Sequence, residues 1–237
     1  VPVRPQGDWG AWAGVIPGDS SDWLWTRVHP YEDLPKVVDP PSGWVQNSNS
    51  PPWVTTFPAA LDPGRFPPYM APLGMGLREQ RAVRMIGENL PLSFEAVIAC
   101  QASTRAELAD RVLDELVAAA RALGSPLVRE AADVLFLRWV QELQARELWA
   151  GAFVAPWSPE AALATPAGLA NPAAAVSALE EAAVKMQEQS LALDVPWGSL
   201  YRLRRGAVDL PGQSGPCNLL GLFRAVEYER GPDGLHS

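Results

Sequence analysis

Histidine and cysteine are scarce in this 237-residue chain: the only histidines are His29 and His236, and the only cysteines are Cys100 and Cys217. None of them stands at metal-ligand spacing, which excludes a zinc-type site. The thiols read as two independent groups, with a structural disulfide as the alternative. Positive charge is also thin, with 19 Lys and Arg against 27 Asp and Glu and a formal net charge of −8. The one dense basic cluster, Arg202, Arg204 and Arg205, is too short to neutralise many phosphates, so nucleic acid is excluded as a partner. No run of about eighteen apolar residues occurs, so no helix is expected to span a membrane. The opening Val1-Pro2-Val3-Arg4 is not a signal peptide. It also has no initiator Met, which points to a chain cut from a longer polypeptide.

Catalytic signatures are missing as well. The nearest approach to a nucleophile elbow, Gly212-Gln-Ser214-Gly-Pro216, lacks the second Gly in the right place. No phosphate loop, dinucleotide fingerprint or H-E-x-x-H occurs. Glu180 and Glu181 are helical neighbours that point apart, as on a solvated face. His29 has no evident Ser or Cys partner and reads as structural. The residues alone therefore supply no complete catalytic set.

Proline and tryptophan are abundant, at 24 and 10. The prolines crowd into the first third, together with Trp9, Trp12, Trp23, Trp25, Trp44 and Trp53. Disordered Pro-rich segments are poor in aromatics, so this stretch is expected to be ordered loop laid over a larger body. Residues 1–75 read as a Pro/Trp-rich loop and strand region, with Trp12 to Ile16 extended. Residues 76–190 read as helical and 191–237 as loop and strand, with a strand from Leu219 to Tyr228.

Three helices announce themselves by caps and periodicity. Thr104-Arg-Ala-Glu107 has the form of a capping box, followed by Leu108, Val112 and Leu116 at helical spacing. Ser125-Pro126 and Asn171-Pro172 each offer an N-cap side chain followed by Pro at the first helical position. The apolar row behind Ser125 is Val128, Ala132, Leu135, Trp139 and Leu143. Behind Asn171 it is Val176, Leu179, Ala183 and Met186.

The stretch Pro40-Pro-Ser-Gly-Trp44-Val-Gln-Asn47-Ser-Asn49-Ser-Pro-Pro-Trp53 is the most informative. Turn formers lead into a short apolar pair and then two amides. If that segment is extended, Asn47 and Asn49 point to the same side. From Trp25 to Asn49 the sequence resembles the approach to the active site in the penicillin amidases, closest to the acyl-homoserine-lactone acylase branch. The resemblance continues in order through Leu92-Ser-Phe-Glu95, Thr165-Pro-Ala-Gly-Leu169, Val195-Pro-Trp-Gly198, Tyr201-Arg-Leu-Arg and Asp209-Leu-Pro-Gly212. The chain departs from the family pattern after Ala131-Ala-Asp-Val-Leu135, where it runs straight into Phe136-Leu-Arg-Trp139. A segment is missing there, which puts the local packing in question.

The resemblance implies an α+β fold: part of the αββα sandwich of N-terminal-nucleophile hydrolases, here mostly helix and loop with a few strands. It implies an amide hydrolase in which an N-terminal Ser attacks the substrate amide, its own α-amine acting as base. That Ser would lie upstream of Val1, on the missing part of the β-chain, so this chain alone is expected to be inactive and, with strands at both ends lacking neighbours, unable to close its core. By position Asn49 matches the oxyanion-binding Asn. Arg81 most nearly matches a supporting Arg, with Arg78 and Arg84 as alternatives and a solvated helix face as the bland reading. Trp44 and Trp53, nearest in sequence to Asn49, are expected to wall an apolar acyl pocket. The expected partners are a small N-acyl amide and the remaining α- and β-chain segments of the same precursor. No cofactor is implied; calcium occurs in the family, but nothing in this sequence supports a site. Export to the periplasm or beyond is inherited from the resemblance. The rival from another class is a non-catalytic binding protein that retains the scaffold.

Overall fold

The computed structural model describes residues 1–200, 202–211, 217–222, 229–231 and 234–236. The chain divides into two units, Val1–Met75 and Gly76–Ser237.

The first unit is loop held by aromatic contacts and a few backbone bonds. Its one α-helix, α1 (Trp9–Ala13), is capped by Asp8, whose side chain accepts the Ala11 N–H at 3.1 Å. Residues 12 and 13 are therefore helical, not extended as the sequence suggests: the Asp8 cap outweighs the strand-forming residues that follow. Val1 and Val3 pair with His29 and Arg27 across an isolated antiparallel bridge. Trp12 meets Trp23 edge-on with ring centroids 5.0 Å apart, and His29 Nε2 shares a 2.9 Å hydrogen bond with the Tyr69 hydroxyl. That bond gives His29 a structural task. The buried apolar residues of this unit are Trp53, Tyr69, Ala71 and Met75.

The second unit is helical around a continuous apolar core. It begins with α2 (Leu77–Glu88), α3 (Phe94–Gln101) and α4 (Ala109–Leu123), then α5 (Phe136–Ala145). A two-stranded antiparallel ladder follows, β1 (Phe153–Ala155) with β2 (Ala167–Leu169), and then the long α6 (Pro172–Glu188). After α6 come α7 (Trp197–Leu200), the hairpin of β3 (Arg202–Arg205) and β4 (Val208–Pro211), α8 (Cys217–Leu220), and the ladder of β5 (Glu229–Gly231) with β6 (Gly234–His236). Among the described residues the strands form only such two-stranded pieces, so the architecture is α+β with helix dominating.

Helix α6 packs on both α4 and α5. Its start follows the sequence: Asn171 Oδ1 accepts the Ala174 N–H at 3.0 Å and Pro172 is the first helical residue. Val176, Leu179, Ala183 and Met186 are all buried. Each such side chain contributes roughly 1–3 kcal/mol by leaving water. Ser125 does cap a turn, accepting the Leu127 N–H, but residues 126–135 run as consecutive turns and the helix starts only at Phe136. The apolar row behind Ser125 is nonetheless buried throughout. Spacing therefore identified the buried face correctly while misplacing the helix start, and the junction at Leu135 and Phe136 packs without exposing either. Glu180 is not on a solvated face, since its two oxygens accept the Ser125 N–H at 2.7 Å and hydroxyl at 2.8 Å.

Two further expectations are corrected. The Thr104–Glu107 pattern is not a capping box: α4 starts at Ala109 with no side-chain cap, and Glu107 faces inward. Of the strand expected from Leu219 to Tyr228, Leu219 and Leu220 belong to α8, Gly221 forms a turn at φ 68°, and residues 223–228 lie outside the described residues. Cys100 is a half-buried free thiol. No helix among the described residues is long and apolar enough to cross a membrane.

Candidate functional site

The segment from Ser42 to Thr56 folds back on itself. The Gln46 N–H donates to the Thr55 carbonyl at 2.7 Å, and the Gln46 side chain donates to the Val54 carbonyl at 2.6 Å. Gln46 Oε1 in turn accepts the Ser48 hydroxyl at 2.9 Å, and Ser48 is buried. At the tip, the Asn49 N–H donates to Asn47 Oδ1 at 2.7 Å, and Asn49 adopts φ 61°. This is an Asx-type turn with a left-handed residue that Asn tolerates better than most. The two amides therefore do not stand side by side on an extended strand: Asn47 builds the turn and Asn49 is carried at its tip, exposed. Among extended alternatives the turn wins because a short polar side chain can satisfy a backbone donor two residues on.

Trp53, four residues beyond, is buried. Its indole N–H donates to the Pro72 carbonyl at 2.9 Å and its ring lies 5.4 Å from that of Phe66. It walls a cleft of about 580 Å³ within the first unit. Trp44 is half-buried and lines a different, shallower hollow of about 480 Å³ with Val37, Val38 and Val45. The two tryptophans thus line separate concavities.

Arg81 lies on α2 in the second unit and is buried, at 6% exposure, so the solvated-face reading does not hold. Its Nη2 makes a long 3.4 Å contact with the Ser103 hydroxyl. Its Nε and Nη1 are buried with no partner among the described residues, and unmatched buried donors of a charged group are costly. Three residues on, Arg84 Nε donates to Glu107 Oε1 at 3.0 Å, and Arg111 Nη2 donates to the same oxygen at 2.8 Å. Arg84 and Arg111 also reach the Leu163 carbonyl at 2.7 and 2.6 Å. Buried Gln80 joins Arg111 to the Thr165 carbonyl. Two guanidinium groups, those of Arg84 and Arg111, are thus gathered on one wholly buried carboxylate, Glu107. Sequence reasoning missed this cluster because it read Glu107 as a local cap. The Arg78-Glu-Gln-Arg81-Ala-Val-Arg84 repeat was the only trace of it.

Among the described residues, no group of three or more His, Cys, Asp and Glu is placed to hold a metal ion. Among the described residues the hydrogen-bond partner of the His29 ring is the Tyr69 hydroxyl, not a Ser or Cys.

The family model for penicillin amidase matches residues 1–230, and the chain belongs to that family. Membership assigns it to amide hydrolases.

Proposed function

We propose that this chain carries the oxyanion-binding part of an acylase site, and that an N-terminal Ser from a β-chain segment outside this sequence supplies the nucleophile. In this reading the Ser Oγ attacks the substrate carbonyl carbon and its proton passes to the α-amine. The tetrahedral oxyanion accepts a hydrogen bond from the Asn49 side-chain amide. Collapse expels the amine, which takes up that proton. Water then attacks the ester, releasing the carboxylic acid and restoring the Ser. Splitting one difficult displacement into two steps is the usual gain of covalent catalysis, and a preorganised amide donor contributes because it need not reorient as charge develops. Arg81, buried on α2, is the supporting cation in this reading. Trp53 walls the acyl cleft.

The observation that carries the reading is the turn at Asn49, where a backbone bond to Asn47 fixes the tip from which the amide is presented. Substrates are N-acyl amides such as acyl-homoserine lactones, or β-lactam and lipopeptide amides. A quorum-quenching or antibiotic-processing role and a periplasmic or secreted location go with them. The test is to incubate the intact protein with N-decanoyl-homoserine lactone, quench, and analyse by mass spectrometry. Free decanoate and a decanoyl adduct on an N-terminal Ser are expected. Absence of both, with binding retained, contradicts the acylase reading and leaves a scaffold that binds without chemistry.

A further inference from the structure

The loop that carries Asn49 has an outgoing limb, residues 42–48, and a returning limb, residues 50–56. The returning limb opens with Ser50-Pro51-Pro52, and proline has no N–H to give to a ladder. A backbone bond joins the limbs where the Gln46 N–H donates to the Thr55 carbonyl at 2.7 Å. The Gln46 side chain supplies what the prolines cannot. Its Nε2 donates to the Val54 carbonyl at 2.6 Å on the returning limb, and its Oε1 accepts the Ser48 hydroxyl at 2.9 Å on the outgoing one. Nε2 also makes a long 3.4 Å contact with the Ser50 hydroxyl. One amide head therefore reaches both residues that flank Asn49. Farther from the tip, the Ser42 and Thr56 hydroxyls share a second tie between the limbs, with Thr56 buried.

Burial follows the same division. Gln46 is half-buried and Ser48 buried, whereas Asn47 and Asn49 are exposed. The residues that hold the loop thus face into it, and the amides face out. Asn47 sets the local conformation of the tip, and Gln46 sets the spacing of the limbs on which the tip stands. The task suits glutamine because its amide carries a donor and an acceptor on one head. A carboxylate offers acceptors alone and an ammonium donors alone.

We propose that Gln46 is a positioning residue, which holds the base of the Asn49 turn so that the Asn49 amide points to where the oxyanion forms. Gln46 acts through Asn49 and does not itself meet the substrate. The role in turnover rests on the acylase reading, while the brace can be read without turnover.

The experiment measures kcat and KM of the intact protein and its variants on N-decanoyl-homoserine lactone. Gln46→Leu, close in size, removes both side-chain bonds. Its kcat should fall by roughly tenfold or more, the scale of one to two lost hydrogen bonds, with KM held within about threefold. In the Asn49→Gly background the same change should cost less than about twofold, because the group it positions is gone. A purely structural role would cost the same in both backgrounds. Hydrogen exchange across residues 44–56 should be faster in Gln46→Leu and unchanged in the peptides of α4 and α6.

Gln46→Glu keeps the acceptor for Ser48 but turns a carboxylate oxygen onto the Val54 carbonyl. Protonation restores a donor there as an O–H. The groups that meet this head are the Val54 carbonyl and the Ser48 and Ser50 hydroxyls, none of which titrates. The ratio of the Gln46→Glu kcat to that of the wild type should therefore rise at least about threefold between pH 8 and pH 5, as the carboxylate gains its proton. If Gln46→Leu loses its fold by circular dichroism, this profile decides the matter. Additive losses in the double variant, an effect on KM alone, or a flat Gln46→Glu ratio with hydrolysis intact overturns the proposal and leaves the acylase reading standing. Absence of hydrolysis by the wild type removes the acylase reading and, with it, the role given to Gln46 in turnover.

Discussion

Asn47 Oδ1 accepts the backbone N–H of Asn49 at 2.7 Å, so the first amide of the motif builds the turn that carries the second. Replacing Asn47 by Ala removes the acceptor but no group assigned to contact substrate. In the acylase reading, kcat for an N-acyl amide falls roughly tenfold, the order expected when a positioning bond worth about 1.4 kcal/mol is lost. Asn47→Asp and Asn47→Ser, which retain an oxygen at the right reach, recover most of it. Steady-state kinetics on the three variants checks this, and a KM-only effect counts against a positioning role.

Glu107 is wholly buried and accepts from both Arg84 and Arg111. Glu107→Ala leaves these guanidinium groups without their carboxylate. Breaking a buried pair in this way typically costs about 3–5 kcal/mol. Glu107→Gln keeps an acceptor and should cost less. Urea denaturation of the two variants gives the comparison, and equal stability of Glu107→Ala and the wild type refutes the clamp.

Gly221 stands at φ 68°, and a Cβ there would lie 2.6 Å from the Glu107 Cβ and 2.9 Å from the Leu77 Cβ. Both the backbone conformation and the space oppose a side chain. Gly221→Ala is expected to destabilise the protein by roughly 2–4 kcal/mol, combining left-handed strain with overpacking. The midpoint of chemical denaturation measures it. Gly87→Ala is the control, in helix α2, where an added Cβ meets nothing; it should be neutral or slightly stabilising.

The Lys185 ammonium has its pKa raised, chiefly by its 2.7 Å hydrogen bond to Glu142. A pKa raised on folding means stabilisation that is complete below the ordinary lysine value of about 10.4 and lost as pH rises through the folded value. Lys185→Met should therefore be less stable than the wild type at pH 8, and the gap should narrow as pH rises past the ordinary lysine value. Thermal denaturation of both proteins across that range reads it. A gap that persists unchanged at high pH assigns the effect to packing of the lysine stem instead.

Much of the second unit could be read from sequence because its determinants are local. Asn171-Pro172 names a cap and a first helical residue within two positions, and the i, i+3, i+4 rows name faces that are buried whatever the backbone between them does. The same logic fails where a tertiary partner competes. Thr104-Arg-Ala-Glu107 has the right letters for a capping box, but Arg84 and Arg111 take the Glu, and no local pattern encodes a partner 23 residues upstream. The first unit was less legible still. Its prolines forbid regular ladders, so its shape follows from particular contacts such as Trp53 with Pro72 and His29 with Tyr69. Family resemblance located Asn49, but only the geometry shows that it sits on a left-handed turn and that Trp44 and Trp53 line separate hollows.

Asn49 can be tested in a way that separates chemistry from fold. At φ 61° an Ala substitution mixes loss of the amide with backbone strain, whereas Gly accepts that conformation and loses only the side chain. The measurement is kcat of the intact protein and of its Asn49→Gly variant on N-decanoyl-homoserine lactone, with stability monitored in parallel. A fall of roughly a hundredfold to a thousandfold, the usual effect of removing an oxyanion donor, at nearly unchanged stability is what the account predicts. Turnover by Asn49→Gly within a few-fold of the wild type contradicts it, and makes Asn49 a turn residue and nothing more.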